Sequence, residues 1–323
     1  MFEKGQEMDT EQLIVDTATR IFSDHVDKAM LDRAEQGEFP TELWDLVVEN
    51  GFHQLGSEGS GTGVQELFAF LKVCGQFSVP LPIADTMLAN RWAGAEDSIA
   101  SVGVMSDGQS INAHWGRQAG RVFGITPGSA TVSLSRAPSA VETLSNMAGE
   151  PSDHMSMADA ETLEVGPDPF AQMALAKVNL SAGSLQAQLD LGIQFATERS
   201  QFGRSISKFQ AIQHSLAVIA AEVAAAKRAA DAAVDAFGDE RFEAEVAASK
   251  ARVGEAVGVV AEQVHQVHGA MGFTHEHRLH HFSRRTWAWR DAWGNEFEWQ
   301  EKLGRHIASL GADNVWDFIA TRS

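Results

Sequence analysis

Cysteine is nearly absent from the chain: Cys74 is the only one in 323 residues. No disulfide can form within it, as expected of a protein of the reducing cytoplasm. Positive charge is scarce too. Lys and Arg number 25 against 44 Asp and Glu, a formal net charge of −19. A field of that sign repels nucleic acid and anionic lipid, which argues against both as partners. No apolar run is long enough to span a bilayer. The first ten residues carry Glu3, Lys4, Glu7 and Asp9 and lack an apolar signal core, so no secretory signal is expected. The glycine-rich loop Ser57 to Gly63 lacks the Lys-Ser/Thr ending of a phosphate loop. There is no H-E-x-x-H, no internal repeat and no low-complexity tract.

What is present reads as ordinary globular protein, with 44% hydrophobic and 21% charged residues. A chain of 323 residues is too long for one compact core and suits two or three domains. Apolar residues fall at helical spacing over Glu11 to Ala29, from Pro40 to a stop at Gly51, over Val64 to Gln76 and over Ile83 to Gly94. From about Asp97 to Asp168 the texture is strand and turn. Ser101 to Val104, Arg121 to Ile125 and Ala130 to Leu134 are short apolar stretches between Gly, Ser, Asp and Pro. Long helices follow at about 170–198, 207–237, 240–270 and 294–310, with the short connections of a bundle. The fold expected is mainly α with a small β domain: an N-terminal helical domain over 1–95, a reduced middle β domain over 96–168 and a C-terminal four-helix bundle over 169–323.

Against the acidic background, basic residues gather in two places: Arg199, Arg204 and Lys208, and Arg278, Arg284, Arg285 and Arg290. The first group lies in the corner Thr197 to His214 between two predicted helices. An arginine at a helix end can grip a pyrophosphate through two hydrogen bonds. The N–H groups opening the next helix favour the same anion. Phe202 can pack on an adenine face. A plain helix–turn–helix with a capping glycine fits these residues as well and is the commoner pattern. Six histidines crowd residues 265–281, and His277 and His281 stand at i,i+4. Spacing offers them no third ligand, so no metal centre is expected. Trp287, Trp289, Trp293 and Trp299 form an aromatic group that suits the lining of an acyl cleft or, as the commoner pattern and the one expected here, a subunit interface.

Glu198 to Gln210 reads E-R-x-x-F-G-x-x-I-x-x-F-Q, and Gln266 to Phe273 is close to Q-x-x-G-G-x-G-[FY]. Both resemble signatures of the acyl-CoA dehydrogenase family. Pro40-x-x-Leu-Trp to Asn50-Gly-Phe resembles its N-terminal helix pair, and the order of helices, β region and bundle also matches. The resemblance implies an FAD-dependent oxidoreductase that acts between Cα and Cβ of an acyl-CoA thioester, a glutamate taking the α proton. It implies that Arg199, Gln201, Phe202, Gln266 and Gly269 contact the ADP half of FAD seated in a neighbouring subunit. Ala270 replaces the second signature glycine, and its methyl is expected to loosen the backbone approach.

Two departures stand out. The family's glutamate positions are occupied here by Trp293 and Met173, so no catalytic base is expected in this chain. Glu296, Glu298 and Asp291 lie nearby but read as a solvated helix start. The family's T-E-P-x-x-G-S-D segment, which holds the flavin ring, is missing, and Gly103 to Gly108 is a poor substitute. The chain therefore resembles the shortened subunit of the heterotetrameric enzymes of bacterial steroid side-chain catabolism, in which a paralogous acyl-CoA dehydrogenase subunit supplies the base. That resemblance implies a steroid side-chain CoA ester as substrate and electron-transfer flavoprotein as a possible acceptor. A self-sufficient homotetramer with a relocated base such as Glu296, and a flavin-free structural subunit, are the alternatives.

Overall fold

A computed structural model describes residues 10–106, 108–157, 159–166 and 168–321. The charged stretch 1–9, and Asp107 within Gly103 to Gly108, lie outside the described residues. Five helices come first: α1 (Thr10–His25), α2 (Lys28–Glu35), α3 (Thr41–Glu49), α4 (Val64–Phe77) and α5 (Ile83–Ala93). The expected first helix is interrupted at Asp27, whose carboxylate accepts from the Met30 N–H at 2.8 Å and starts a new helix.

The middle of the chain is a sheet of seven strands: β1 (Ala100–Ser106), β2 (Ser110–His114), β3 (Arg121–Ile125), β4 (Thr131–Ser135), β5 (Ser139–Glu142), β6 (Ser152–Ser156) and β7 (Glu161–Glu164). Their order is β5-β6-β2-β1-β3-β4-β7. The central pair β1 and β3 is parallel, Ala100 opposite Arg121, and the other pairs are antiparallel. β1, β3 and β4 match the apolar stretches read from sequence. β5 and β7 are mostly exposed edge strands, and without a buried face they leave no alternating pattern to read.

Next come α6 (Pro169–Glu198), a hairpin of β8 (Ser200–Gln201) and β9 (Arg204–Ser205), then α7 (Gln210–Asp235), α8 (Phe242–His268), α9 (Leu279–Asp291), α10 (Glu296–Leu310) and α11 (Val315–Thr321). α6 is the axis of the molecule: α4, α7, α8 and α9 all pack on it. Small residues permit this. A Cβ at Gly75 of α4 would strike the Leu180 carbonyl of α6, and one at Gly183 of α6 would strike the Lys72 carbonyl of α4. The two backbones cross in contact through reciprocal glycines. α9 is missing from the sequence-based helices because its inward face, Leu279, Phe282, Arg285 and Trp289, includes an arginine. Cys74 is fully buried on α4, where burial pushes its thiol pKa up and leaves it unreactive.

Candidate functional site

The corner after α6 is built by backbone. The Arg199 N–H donates to the Phe195 carbonyl at 2.9 Å, and its own carbonyl accepts from Ile206 N at 2.8 Å. Ser205 Oγ donates to the Ala196 carbonyl at 2.8 Å. Ile206 is buried against Ala196 and Val267. Pinned this way, the hairpin turns over Phe202 and Gly203, with φ of 53° and 80°. Two left-handed residues are what a tight hairpin turn demands. Glycine accepts that readily, whereas a bulky side chain does so only under strain. Phe202 nonetheless holds its ring 91% exposed, touching only the edge of Phe209 at 6.2 Å between centroids. The Arg204 guanidinium lies over the Phe209 ring at 4.2 Å.

Opposite the hairpin, α8 ends at Gly269 (φ 57°, ψ −142°), and a short 3-10 turn, Gly269–Phe273, follows. Between hairpin and turn lies a surface cleft of about 470 Å³, and Arg199, Gln201, Phe202, Gln266 and Gly269 all line it. Ala270 lines it as well. A Cβ at Gly269 would meet nothing within 4 Å, so that backbone is open to an approaching group. The cleft floor is apolar, with Phe195 stacked on His268 at 4.5 Å. Burial pushes the His268 pKa down to about 4, so this imidazole is neutral and adds no positive charge.

Arg199 is the charged residue that lines the cleft, and Arg204 lies over the Phe209 ring that also lines it. Among the described residues no acidic side chain pairs with Arg199. The second basic group is spent internally. Arg284 lies 3.1 Å from Glu35, Arg285 is buried beside Glu150 at 3.6 Å, and Arg290 holds both Glu296 oxygens at 2.5 Å. Arg278 lies over Phe282. Of the basic residues read from sequence, Arg199 is the one that lines the cleft with no acidic partner among the described residues.

A second cavity, about 320 Å³, separates the sheet from the bundle and is lined in part by Trp289 and Trp293. Trp293 (φ 61°) is buried, its ring edge on Phe170 at 5.4 Å and its carbonyl accepting from Trp299 Nε1 at 2.9 Å. Met173 is fully buried in the main core. Glu298 completes a capping box with Asn295, and Asp291 lies 3.9 Å from Arg290. The described acids near Trp293 are thus engaged in caps and ion pairs. Trp289, Trp293 and Trp299 belong to the chain's own core, and Trp287 alone of the four is exposed. The interface reading of that group therefore does not hold for the three buried rings.

This cavity also holds charges that the sequence reading passed over. Asp85 Oδ1 accepts from Val102 N at 3.1 Å, with Lys177 Nζ 3.6 Å from Oδ2. Glu150 accepts from Asn146 at 2.9 Å. Burial raises the Glu150 carboxyl pKa, but His114, Arg285 and that hydrogen bond outweigh it and hold it below the usual range. Burial likewise pushes the His114 pKa down. The signal available in sequence was a charge among small and apolar helix residues: Asp85 after Ile83 and Ala84, Lys177 between Ala176 and Val178. The spaced histidine pair does not assemble as a unit. His277 precedes α9 and packs beside His268 and Phe195, while His281 is buried against α2.

Residues 154–296 match the family model for the acyl-CoA dehydrogenase C-terminal domain. Acyl-CoA dehydrogenase IpdE2 of Mycobacterium tuberculosis is 26% identical over 302 residues, covering 85% of this chain and 90% of that protein. Among solved structures, the ChsE4-ChsE5 complex from Mycobacterium tuberculosis superposes with a TM-score of 0.80 at 20% identity, over 95% of this chain and 99% of that one. A Tcur3481-Tcur3483 steroid ACAD variant superposes with a TM-score of 0.81 at 19% identity, over 94% and 98%. At those identities the two structures establish the fold: helices, a central sheet and a helical C-terminal bundle. With the signatures at Glu198 and Gln266, a relative aligned along most of its length and the matched domain, the chain is similar to acyl-CoA dehydrogenases, and residues 154–296 carry that family's C-terminal domain.

Proposed function

We propose that this chain is the flavin-completing, base-free subunit of a heteromeric FAD-dependent acyl-CoA dehydrogenase. The observation that carries the reading is a contrast. Five signature residues line one open cleft that presents the Arg199 guanidinium, while the two positions that would hold the base are Trp293 and Met173, both buried in the core. The division into 1–95, 96–168 and 169–323 suits such a chain, whose bundle end carries the cleft.

The donor set fits the ADP half of FAD. Arg199 offers two parallel N–H donors to a pyrophosphate, and Gln201 and Gln266 offer amides. Phe202 offers an exposed ring to adenine, and Gly269 lets a phosphate approach the backbone. The bound flavin supplies the acceptor for the hydride that leaves Cβ. The work of this chain is to hold the dinucleotide from one side of an interface. A paralogous subunit brings the glutamate and the thioester, since a site split between chains needs each part once. The steroid ACAD among the similar structures supports a steroid CoA ester as substrate class, and a side-chain ester is the form the sequence resemblance implies.

Co-expression with a longer paralogue that carries the glutamate tests the reading. The pair is expected to be yellow and to turn over an acyl-CoA, and the chain alone to be colourless and inactive. Arg199→Ala is expected to lower both flavin content and turnover of the pair. Strong flavin absorbance and turnover from the isolated chain would refute the proposal. Flavin content unchanged by Arg199→Ala would favour a flavin-free structural subunit.

A further inference from the structure

A second constellation lies where α2 meets α9. Asp32 stands with His280 and His281, and one ligand-capable atom from each lies within 4.8 Å of the others. His281 is fully buried. Its Nδ1 lies 2.7 Å from Glu35 Oε1 and its Nε2 lies 3.1 Å from Asp32 Oδ1, an approach short of an aligned hydrogen bond. A carboxylate at Nδ1 keeps the proton on that nitrogen and turns the Nε2 lone pair toward Asp32. A lone pair and a carboxylate oxygen at that distance repel each other unless positive charge sits between them.

His280 is set in the same way. Its Nδ1 lies 2.7 Å from the His277 carbonyl, which fixes the proton there and leaves Nε2 free. Two imidazoles thus have their outer nitrogens tied to an oxygen, the arrangement that orients histidines as metal ligands. Glu35 is held in turn by Arg284 at 3.1 Å. Lys28 takes the other Asp32 oxygen, Oδ2, at 2.6 Å and leaves Oδ1 facing the rings.

We propose that Asp32, His280 and His281 bind a divalent transition-metal ion of the zinc class. One carboxylate oxygen and two imidazole nitrogens are its ligands, with water in the remaining position. Arms of about 2.0–2.1 Å in a tetrahedron put ligand atoms roughly 3.3 Å apart. The Asp32–His281 pair already has that spacing, and side-chain rotation brings in His280. An acidic chain favours a cation. The ion would clamp α2 to α9, joining the N-terminal helices to the bundle. Sequence spacing concealed the site because its carboxylate lies far away along the chain and its histidines are adjacent, not four apart.

Equilibrium dialysis of the purified full chain against zinc chloride, with cobalt(II) absorbance as the geometric readout, tests this. About one zinc per chain is expected, with visible bands of tetrahedral or five-coordinate cobalt and a thermal midpoint that rises with zinc. Asp32→Asn and His280→Gln should each weaken zinc binding by about tenfold or more, while the circular dichroism of the zinc-free chain is unchanged. His154→Gln, at a histidine that pairs with Asn112 across the sheet, should bind zinc normally. Zinc retention below about a tenth of an equivalent would overturn the proposal. Binding undiminished in both variants would overturn it equally. If Asp32→Asn fails to fold, His280→Gln decides.

Discussion

Lys250 Nζ donates a 2.6 Å hydrogen bond to the carbonyl of Ala292, one residue before the turn that carries Trp293. The same ammonium donates to the carbonyls of Arg290 at 2.8 Å and Trp289 at 3.1 Å. One side chain of α8 thereby satisfies three carbonyls at the C-terminal end of α9, a helix end that otherwise leaves them orphaned. The family resemblance points to this turn for the catalytic base. Here it is a packed, lysine-capped corner.

Burial is the main cause pushing the Lys250 pKa down from 10.5 to about 7. The unfolded chain then binds more protons than the folded one between those values. Stability from this group accordingly rises with pH from about 7 toward 10.5 and is lowest below that window. Denaturant unfolding at several pH values should show a flatter rise for Lys250→Met than for the wild type. Parallel curves would mean that the ammonium is no more costly folded than unfolded.

The crossing of α4 and α6 predicts opposite outcomes for two glycines. Gly183→Ala drives a methyl into the Lys72 carbonyl, which backbone cannot evade, and should cost more than about 3 kcal/mol or prevent folding. Gly258→Ala, on α8 with nothing within 4 Å of the new methyl, should gain about 0.5–1 kcal/mol from helix propensity. Urea midpoints compare the two. Equal effects would show that the close crossing is not what fixes the helix pair.

How much could be read in advance follows from where each signal lives. The α6, α7 and α8 helices and the hairpin corner were legible because their periodicity and motif are local. The edge strands β5 and β7 bury too little to leave a pattern. α9 was hidden by Arg285, a charge on a core face that makes sense only once Glu150, on the loop before β6, is seen 3.6 Å from it. The same holds for Asp85 and Lys177, which meet across 92 residues of sequence. Local pattern locates elements, whereas buried ion pairs are products of the tertiary fold.

Glu296 is the residue that a relocated base would need, and its carboxylate is gripped by Arg290 through two contacts of 2.5 Å. With both oxygens bound to Arg290, the carboxylate has neither one free to face a substrate. Glu296→Gln should therefore leave turnover of the two-chain complex within about twofold of wild type and cost about 1 kcal/mol or less, as for a partly exposed ion pair. Loss of turnover by a hundredfold or more, with flavin content unchanged, would assign Glu296 a role in proton transfer.

Phe202 separates stability from function. Its left-handed backbone is the strained member of the hairpin turn, and its ring is 91% exposed, so little burial offsets the strain. Asparagine tolerates this backbone better than a bulky side chain. Phe202→Asn should thus fold with a thermal midpoint no lower than wild type, and the hairpin relief is worth about 1 kcal/mol at most after loss of the edge contact to Phe209. If the ring instead stacks on adenine across an interface, the same variant should release flavin from the two-chain complex more readily, measured as flavin retained after gel filtration. A midpoint that falls while flavin retention holds would reverse the assignment: Phe202 would then be part of the hairpin's own packing, and Arg199 would hold the dinucleotide without an aromatic neighbour.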